Sequence, residues 1–319
     1  MPYLLGADEA GYGPNLGPLV IAATLWHVPE GVSCDNLYDR LGECVTARCR
    51  RHDERLVIAD SKVVYQPGVG LGALERGVLA ALAAAGDCPT NWHALWQALD
   101  PTAADELAVD PWHVGVAFDL PVADTAESIA RAGARLSAGL READVRLVAV
   151  CARAVFPRQF NRLLGQLGNK AEALSQVTIE LVGQLIERHA DGPLVAVCDK
   201  HGGRNAYGRH LQTRFPDRLV EVHRESAAES VYRWGPAQQR VEIRFCAGGE
   251  AFLPTALASM TAKYLRELSM RAFNDYWRRL MPELTPTAGY PVDAKRFKRQ
   301  IDAVQTSLGI DDAVLWRSK

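Results

Sequence analysis

Short apolar runs recur along the chain, and two of them end directly at acidic residues. Such runs predict buried strands, because a strand of about five or six residues is enough to cross a sheet. The predicted strands lie at residues 4–7, 20–28, 145–154, 194–198, 219–223 and 240–245. The first runs into Asp8 and Glu9, and the strand at 194–198 runs into Asp199. Polar chemistry is therefore predicted at the ends of buried strands.

Other segments place apolar residues three or four positions apart, which is typical of helices with one buried face. The predicted helices lie at residues 35–48, 71–85, 125–143, 160–167 and 171–189. In the first of them, Leu37, Leu41 and Val45 fall on one face. This mixture of strands and helices predicts an α/β fold.

The N-terminal stretch combines a strand, an acidic pair, a glycine-rich turn and a second strand. Neighbouring side chains in a strand point to opposite faces, so Asp8 and Glu9 share a ligand only at a strand end that runs into a turn. Two close carboxylates raise each other's pKa unless a cation offsets them, which suggests Mg²⁺ or Mn²⁺. A solvated turn is the alternative. The three glycines within residues 11–17 weigh against it, because bare backbone lets another molecule approach closely.

Residues 8–13 (DEAGYG) and 17–20 (GPLV) resemble the opening motif of the type 2 ribonucleases H, the ribonuclease HII and HIII family. That motif is a strand, Asp-Glu-(Ala/Ser)-Gly-x-Gly, a short spacer, Gly-Pro and a second strand. The chain departs from it at Tyr12, where the family usually has an Arg or Lys that contacts the nucleic-acid backbone. The resemblance implies a ribonuclease H-like mixed sheet flanked by helices, with an inserted segment and a helical C-terminal part.

Later segments resemble further family blocks in the same order. Residues 60–62 match an Asp-Ser-Lys tripeptide, although a turn or helix cap is their plain interpretation. Asp199 matches a catalytic aspartate, but a rebuilt loop (KHGGR) replaces the glycine that follows it in the family. Residues 256–263 resemble the family's Ala-Ala-Ser-Ile-x-Ala-Lys helix, whose fourth acid precedes it. Glu250 is the carboxylate available there, and Glu267 is the fallback.

The resemblance also implies roles for individual residues. The expected catalytic and metal-binding carboxylates are Asp8, Glu9, Asp199 and Glu250. The expected substrate contacts are Gly11, Tyr12, Gly13, Lys62, Lys200, Arg204, Lys263 and Tyr290. Tyr290 lies in a Gly-Tyr segment, and in ribonuclease HII proteins the corresponding tyrosine stacks on the sugar at the RNA–DNA junction.

Composition changes this picture little. The formal net charge of −2 argues only weakly against a nucleic-acid partner, because a near-neutral total can hide a basic groove. Seven scattered cysteines without a CxxC pair predict reduced thiols in a cytoplasmic protein. No apolar run approaches the roughly 18 residues of a membrane span, and the N-terminus does not have the pattern of a signal peptide, so no membrane partner is expected.

The family blocks predict one catalytic domain over residues 1–300, followed by a helical tail at 301–319. The resemblance lapses at about 86–144, which we interpret as an insertion packed on the core. That segment contains Trp92, Trp96 and Trp112. Aromatic residues of this kind stack on bases in some proteins, but packing is the commoner use and is favoured here.

The leading hypothesis is an endonuclease that uses two metal ions, Mg²⁺ or Mn²⁺, to hydrolyse the RNA strand of RNA–DNA hybrids or ribonucleotides embedded in DNA. The resemblance implies products with a 5′-phosphate. A homologue that binds nucleic acid without cutting it is one alternative, and a DNA endonuclease on the same fold is another, because a fold does not fix the substrate.

Overall fold

The apolar runs form strands in the computed structural model, which describes residues 2–50, 53–66, 68 and 70–318. The strands are β1 Tyr3–Ala10, β2 Leu19–His27, β3 Val45–Thr46, β4 Leu56–Val57, β5 Arg146–Val155, β6 Leu194–Asp199, β7 Glu221–Glu225, β8 Glu229–Trp234 and β9 Val241–Cys246. In the described residues, seven strands form one sheet in the order β5-β2-β1-β6-β9-β8-β7. β6 is parallel to both β1 and β9, and the other neighbours are antiparallel. The prediction of a mixed sheet is confirmed.

Helices cover both faces of this sheet. They are α1 Leu37–Arg40, α2 Ser61–Val64, α3 Gly72–Ala85, α4 Trp92–Leu99, α5 Ala104–Val109, α6 Ala126–Glu142, α7 Pro157–Leu167, α8 Lys170–His189, α9 Gly208–Arg214, α10 Leu253–Leu280, α11 Pro291–Ser307 and α12 Asp312–Leu315. Because strand side chains alternate, Leu4 packs with α3 and α10 on one face, while Leu5 packs with α8 on the other. No described helix combines the length and apolarity needed to cross a bilayer.

One local prediction from the apolar pattern is wrong, and one strand was not predicted. The predicted helix at 35–48 is helical only over Leu37–Arg40, since the chain turns at Gly42 and then pairs Val45 with Leu56 of β4. Strand β8 was not predicted. Its Ser230 and Tyr232 are fully buried although both are polar, and the charged residues Glu229 and Arg233 interrupt its apolar pattern.

The segment 86–144, predicted to be an insertion, contributes α4, α5 and α6. Trp92, Trp96 and Trp112 are all less than 5% exposed, which confirms the prediction that they pack. The ring of Trp112 meets that of Phe273 on α10 at a centroid distance of 5.0 Å. The boundaries of the domain and its insertion stay predictions, although α11 runs across residue 300, so a boundary there would divide one helix.

The N-terminus of α10 lies directly against β1, and this contact positions the site. A Cβ atom on Gly6 would lie 2.1 Å from the carbonyl carbon of Pro254, so only glycine permits the approach. The hydroxyl of Thr255 donates to the carbonyl of Val197 on β6 at 2.9 Å, and that of Thr24 on β2 donates to the carbonyl of Pro254 at 2.8 Å. The helix start is therefore fixed to three central strands.

Candidate active site

Two acids meet at the carboxyl ends of neighbouring parallel strands. Ala7 of β1 is in register with Cys198 of β6, which places Asp8 and Asp199 side by side, one residue further along. Glu9 follows Asp8 while β1 is still paired with β2, so the strand continues slightly beyond the predicted turn. The Glu9 amide donates to the Asp8 carboxylate at 2.7 Å. The acidic pair and Asp199 thus lie at one edge of the sheet.

Glu250 joins these acids from the short turn that precedes α10. This 3₁₀ turn, Gly249–Ala251, is held to β6 because the Gly249 amide donates to the Asp199 carboxylate at 3.1 Å. A Cβ on Gly249 would lie 3.3 Å from the Cα and N atoms of Asp199, so glycine allows the turn to approach the strand. The contact of the Gly249 backbone with Asp199 therefore positions Glu250 near the other acids.

The carboxylates perturb one another. Burial raises the pKa of Asp8 well above its usual range, and Glu9 raises it further, against a hydrogen bond from Ser259 that lowers it. Burial, followed by the charges of Asp199 and Glu250, raises the pKa of Glu9 to about 7. Burial and the charge of Glu250 also raise the pKa of Asp199. Like charges crowd together here without enough cations to offset them.

Lys62 is the predicted cation that reaches this cluster. Asp60 caps α2 by accepting from the Lys62 amide at 2.9 Å, and the Ser61 and Ser259 hydroxyls are 3.1 Å apart, which docks α2 on α10. The Lys62 ammonium donates to Glu250 at 3.1 Å while its side chain stays 78% exposed. Burial lowers the pKa of Lys62, but Glu250, Asp60 and Asp8 outweigh it and raise the pKa overall.

The donor set of this cluster suits a hard divalent cation, since it consists of carboxylate oxygens. As they stand, no three acidic, histidine or cysteine side chains in the described part of the chain are arranged to hold a metal ion. Asp8, Glu9 and Asp199 have raised pKa values, for which burial is the largest cause and repulsion from neighbouring carboxylates a further one. Cations from outside would relieve this repulsion, so the residues fit the predicted group.

The glycine-rich loop at residues 11–17 borders the acids. Gly11 and Gly17 have φ of +89° and +76°, and a Cβ on either would lie within 3.0 Å of neighbouring atoms, so the fold itself needs them. A Cβ on Gly13 meets nothing closer than the Tyr290 ring, at 3.9 Å. Gly13 therefore leaves bare backbone open beside Tyr290, whose side chain is 53% exposed. The structure brings these two predicted substrate contacts together.

Two buried arginines fix the backbone of this loop, and neither was predicted from the sequence to do so. Arg266 of α10 donates to the carbonyls of Pro18, Leu16 and Ala288 at 2.6, 3.2 and 3.1 Å. The Arg317 guanidinium donates to the carbonyl of Gly11 at 2.6 Å and also to that of Pro14. The second anchor comes from the C-terminal segment, whose Arg317 amide donates to the carbonyl of Asn15 at 2.8 Å.

A sequence signal existed for one of these arginines. Arg266 follows Ala258 and Ala262 at intervals of four residues, the spacing that places side chains on one helical face. Its position on the buried stripe of α10 was therefore visible. For Arg317, more than 300 residues from the loop, no local pattern existed.

The alternative fourth acid lies elsewhere. Glu267 accepts from the Lys263 ammonium at 2.6 Å and from the Tyr65 hydroxyl at 3.0 Å. Glu250 instead follows Gly249, whose amide contacts the Asp199 carboxylate, and its charge raises the pKa values of both Asp8 and Asp199. The geometry therefore favours Glu250, and it leaves the predicted substrate contact Lys263 in an ion pair.

Two predicted contacts in the rebuilt loop after β6 are used within the protein. The Lys200 ammonium donates to the carbonyls of Ser226 and Arg204 and to the Asn205 amide oxygen, at 2.5, 3.2 and 2.9 Å. Lys200 is only 9% exposed, so its donors are directed into the protein, which does not agree with a substrate contact. Arg204 forms an ion pair with Glu172 of α8.

The chain matches no protein-family model and no curated protein. Among solved structures it is similar to ribonuclease HII of Archaeoglobus fulgidus in its complex with PCNA, with 15% identity over 99% of this chain and 94% of that chain and a TM-score of 0.46. Ribonuclease H2 of Pyrococcus horikoshii OT3 is 13% identical over 98% and 92% of the two chains, with a TM-score of 0.42. Bst-RNase HIII in complex with Mn²⁺ is 14% identical over 99% and 66%, with a TM-score of 0.43.

The chain resembles type 2 ribonucleases H. These neighbours are of the kind that the N-terminal motif predicted. With identities below 25% and TM-scores below 0.5, the likenesses leave the activity to be argued from the residues of the site itself.

Proposed function

We propose that this chain is a type 2 ribonuclease H, an endonuclease that depends on Mg²⁺ or Mn²⁺ and hydrolyses the RNA strand of RNA–DNA hybrids or ribonucleotides embedded in DNA. The observation that carries the proposal is the meeting of Asp8, Glu9, Asp199 and Glu250 beside an open glycine loop. A protein that only binds nucleic acid gains nothing from keeping these repelling charges together.

In this proposal the four acids hold the metal ions. When bound, such ions activate a water molecule and stabilise the oxygen that leaves phosphorus. The protein contributes the arrangement of the donors: β1 and β6 fix Asp8 and Asp199, and the turn at Gly249 fixes Glu250. Lys62 donates to Glu250 and brings a positive charge to the edge of the acids.

The glycine loop supplies the proposed substrate side of the site. Gly13 exposes backbone that a nucleic-acid strand approaches without meeting a side chain. Backbone groups that come this close to the strand can recognise the 2′-hydroxyl, the group that distinguishes RNA from DNA. Tyr290, next to Gly13, is placed to stack on a sugar or base. The resemblance implies that the product carries a 5′-phosphate.

The test is cleavage of three labelled substrates: an RNA–DNA hybrid, a DNA duplex with one ribonucleotide, and an all-DNA duplex. Each is incubated with Mg²⁺, Mn²⁺ or EDTA, with the wild type and with Asp8→Asn. We expect metal-dependent cleavage of the hybrid or of the ribonucleotide-containing duplex, and a loss of about 10³-fold in Asp8→Asn because grouped catalytic residues act as a unit.

The same assay separates the alternatives. Binding of the hybrid without cleavage would support a non-cleaving homologue. Cleavage of the all-DNA duplex alone would support a DNA endonuclease.

We also propose a cytoplasmic location. All seven cysteines are free in the structure, and Cys34, Cys44, Cys198 and Cys246 are buried. Thiols that stay unpaired fit a reducing compartment.

A further inference from the structure

Tyr12 lies between the acids and the helix α8. It sits in the glycine loop, and a Cβ on Gly202 would lie 3.6 Å from its hydroxyl oxygen. Burial, with the charge of Glu9, raises its pKa, so the side chain is a neutral phenol near the carboxylates. Position 12 therefore brings an aromatic face to the edge of the site but no charge of its own.

A cation from a distant part of the sequence lies on that aromatic face. Lys170 is the first residue of α8, and its ammonium nitrogen is 4.5 Å from the centroid of the Tyr12 ring. This distance is within the range of a cation–π interaction. The interaction holds a flexible lysine side chain at the glycine loop.

Lys170 differs from the other cations around the site. Lys62 is paired with Glu250, Arg204 with Glu172 and Lys263 with Glu267. In the part of the chain that the structure describes, no carboxylate oxygen lies within 4.0 Å of the Lys170 ammonium. Its positive charge is thus not offset by an ion pair.

The backbone around Lys170 adds to this positive charge. Asn169 caps α8 by accepting from the amides of Ala171 and Glu172 at 3.1 and 3.0 Å, and this 20-residue helix directs the positive end of its dipole at the same place. Glu172 in the first turn is engaged by Arg204 and His210, so its negative charge is balanced locally.

We propose that Lys170, held on the ring of Tyr12, contacts a backbone phosphate of the nucleic-acid strand that lies along the glycine loop, with Tyr12 as its positioning residue. This inference rests on the proposed function and names the residue that supplies the charge missing at position 12. An ammonium ion binds phosphate as a point charge, so the contact contributes to affinity and not to the choice of base.

The experiment measures KM and kcat on the preferred substrate over a series of salt concentrations. We expect Lys170→Ala to raise KM about three- to tenfold, to leave kcat nearly unchanged, and to reduce the slope of log KM against log salt by about one, as the loss of one phosphate contact requires. Tyr12→Ala should change the slope in the same direction, because Lys170 loses the aromatic ring that holds its ammonium group near the loop.

Two further variants sharpen the result. Tyr12→Arg in the Lys170→Ala background should restore the slope, because it returns one cation to the loop. Arg131→Ala is the matched control, since it removes one charge from an exposed pair with Glu127 on α6 and should change neither KM nor the slope. Thermal unfolding of each variant checks that the fold is kept.

Each outcome decides the matter. If the wild type cleaves the hybrid and Lys170→Ala keeps the wild-type KM and slope, the inference about Lys170 is wrong while the proposed function stands. A fall in kcat at constant KM and slope would also overturn it. If the wild type neither binds nor cleaves the hybrid, the proposed function fails and this inference fails with it.

Discussion

Two pairs of buried charged residues border the glycine loop, a pair of arginines and a pair of acids. The pairs differ in how many hydrogen-bond partners the protein gives them. Among the described residues, Arg266 and Arg317 have no carboxylate within ion-pair distance, but five backbone carbonyls accept from them. Asp8 and Glu9, before the loop, receive far fewer hydrogen bonds and have raised pKa values. Burial lowers the pKa of Arg266 only to about 10, so it stays charged at neutral pH.

This difference indicates that the arginines stabilise the loop and that the acids serve the proposed activity. The carbonyl oxygens that accept from the arginines are fixed parts of the fold, so the protein itself supplies their hydrogen-bond partners, although Nε and Nη1 of Arg317 have none among the described residues. The acids are held close together by the sheet and the Gly249 turn, and their repulsion is left for something outside the chain to offset. The comparison predicts that removing an acid lowers activity without lowering the stability of the metal-free protein, whereas removing an arginine lowers stability.

The largest expected effect distinguishes two glutamates close together in sequence. Glu250→Gln should lower kcat/KM about 10³-fold, or ~4 kcal/mol, because it removes one charge from a site that acts as a unit. Glu267→Gln, the matched control, should stay within a few-fold of the wild type, since Glu267 is engaged by Lys263 and Tyr65. The measurement is steady-state cleavage of the preferred substrate. Equal losses in both variants would contradict the assignment of the fourth acid.

The site was predictable from sequence where function imposes a local pattern. The run DEAGYG and the apolar strand that ends at Asp199 each place a carboxylate at a strand end, and the parallel register of β1 and β6 then brings the two together. Glu250 was assigned through a resemblance whose spacing differed by one residue. The structure supports that choice through the contact between Gly249 and Asp199.

The parts that sequence did not reveal depend on long-range contacts. Strand β8 is stabilised mainly by its neighbours β7 and β9, so its own pattern was weak. The contact of Lys170 with Tyr12 joins residues 158 positions apart, and Arg317 reaches the loop across the whole chain. Lys200 looked like an exposed cation after a strand, but its loop folds back around the ammonium group.

The second prediction tests the arginine side of the comparison. Arg266→Met should lower the free energy of unfolding by about 4 kcal/mol, because it leaves buried carbonyls of Pro18, Leu16 and Ala288 without a donor. Arg271→Met, five residues further along α10 and 45% exposed, should cost about 1 kcal/mol or less. Urea unfolding monitored by tryptophan fluorescence measures both. A small effect at Arg266 would mean that the loop is held by other contacts.

The third prediction concerns the acids in metal-free protein. Glu9 has a pKa of about 7 in the folded state, above its usual 4.5, so it contributes nothing below pH 4.5 and destabilises the fold progressively as pH rises to 7. Glu9→Gln should therefore flatten the pH dependence and raise the free energy of unfolding by about 3 kcal/mol above pH 7. Urea unfolding in EDTA from pH 4 to pH 8 measures this. A variant less stable than the wild type at pH 8 would show that the Glu9 charge is satisfied within the protein.

The smallest expected effect concerns metal binding by the acids. At about five times its dissociation constant, Mn²⁺ should add about 1 kcal/mol to the free energy of unfolding, because it binds the folded acids and offsets their repulsion. The gain should disappear in Asp8→Asn and persist in Arg131→Ala, which removes a distant surface charge. It should also grow between pH 5 and pH 8, since the carboxylates must lose their protons to bind a cation. Thermal unfolding with and without Mn²⁺ measures the shift. An equal gain in Asp8→Asn would place the bound ion away from these acids.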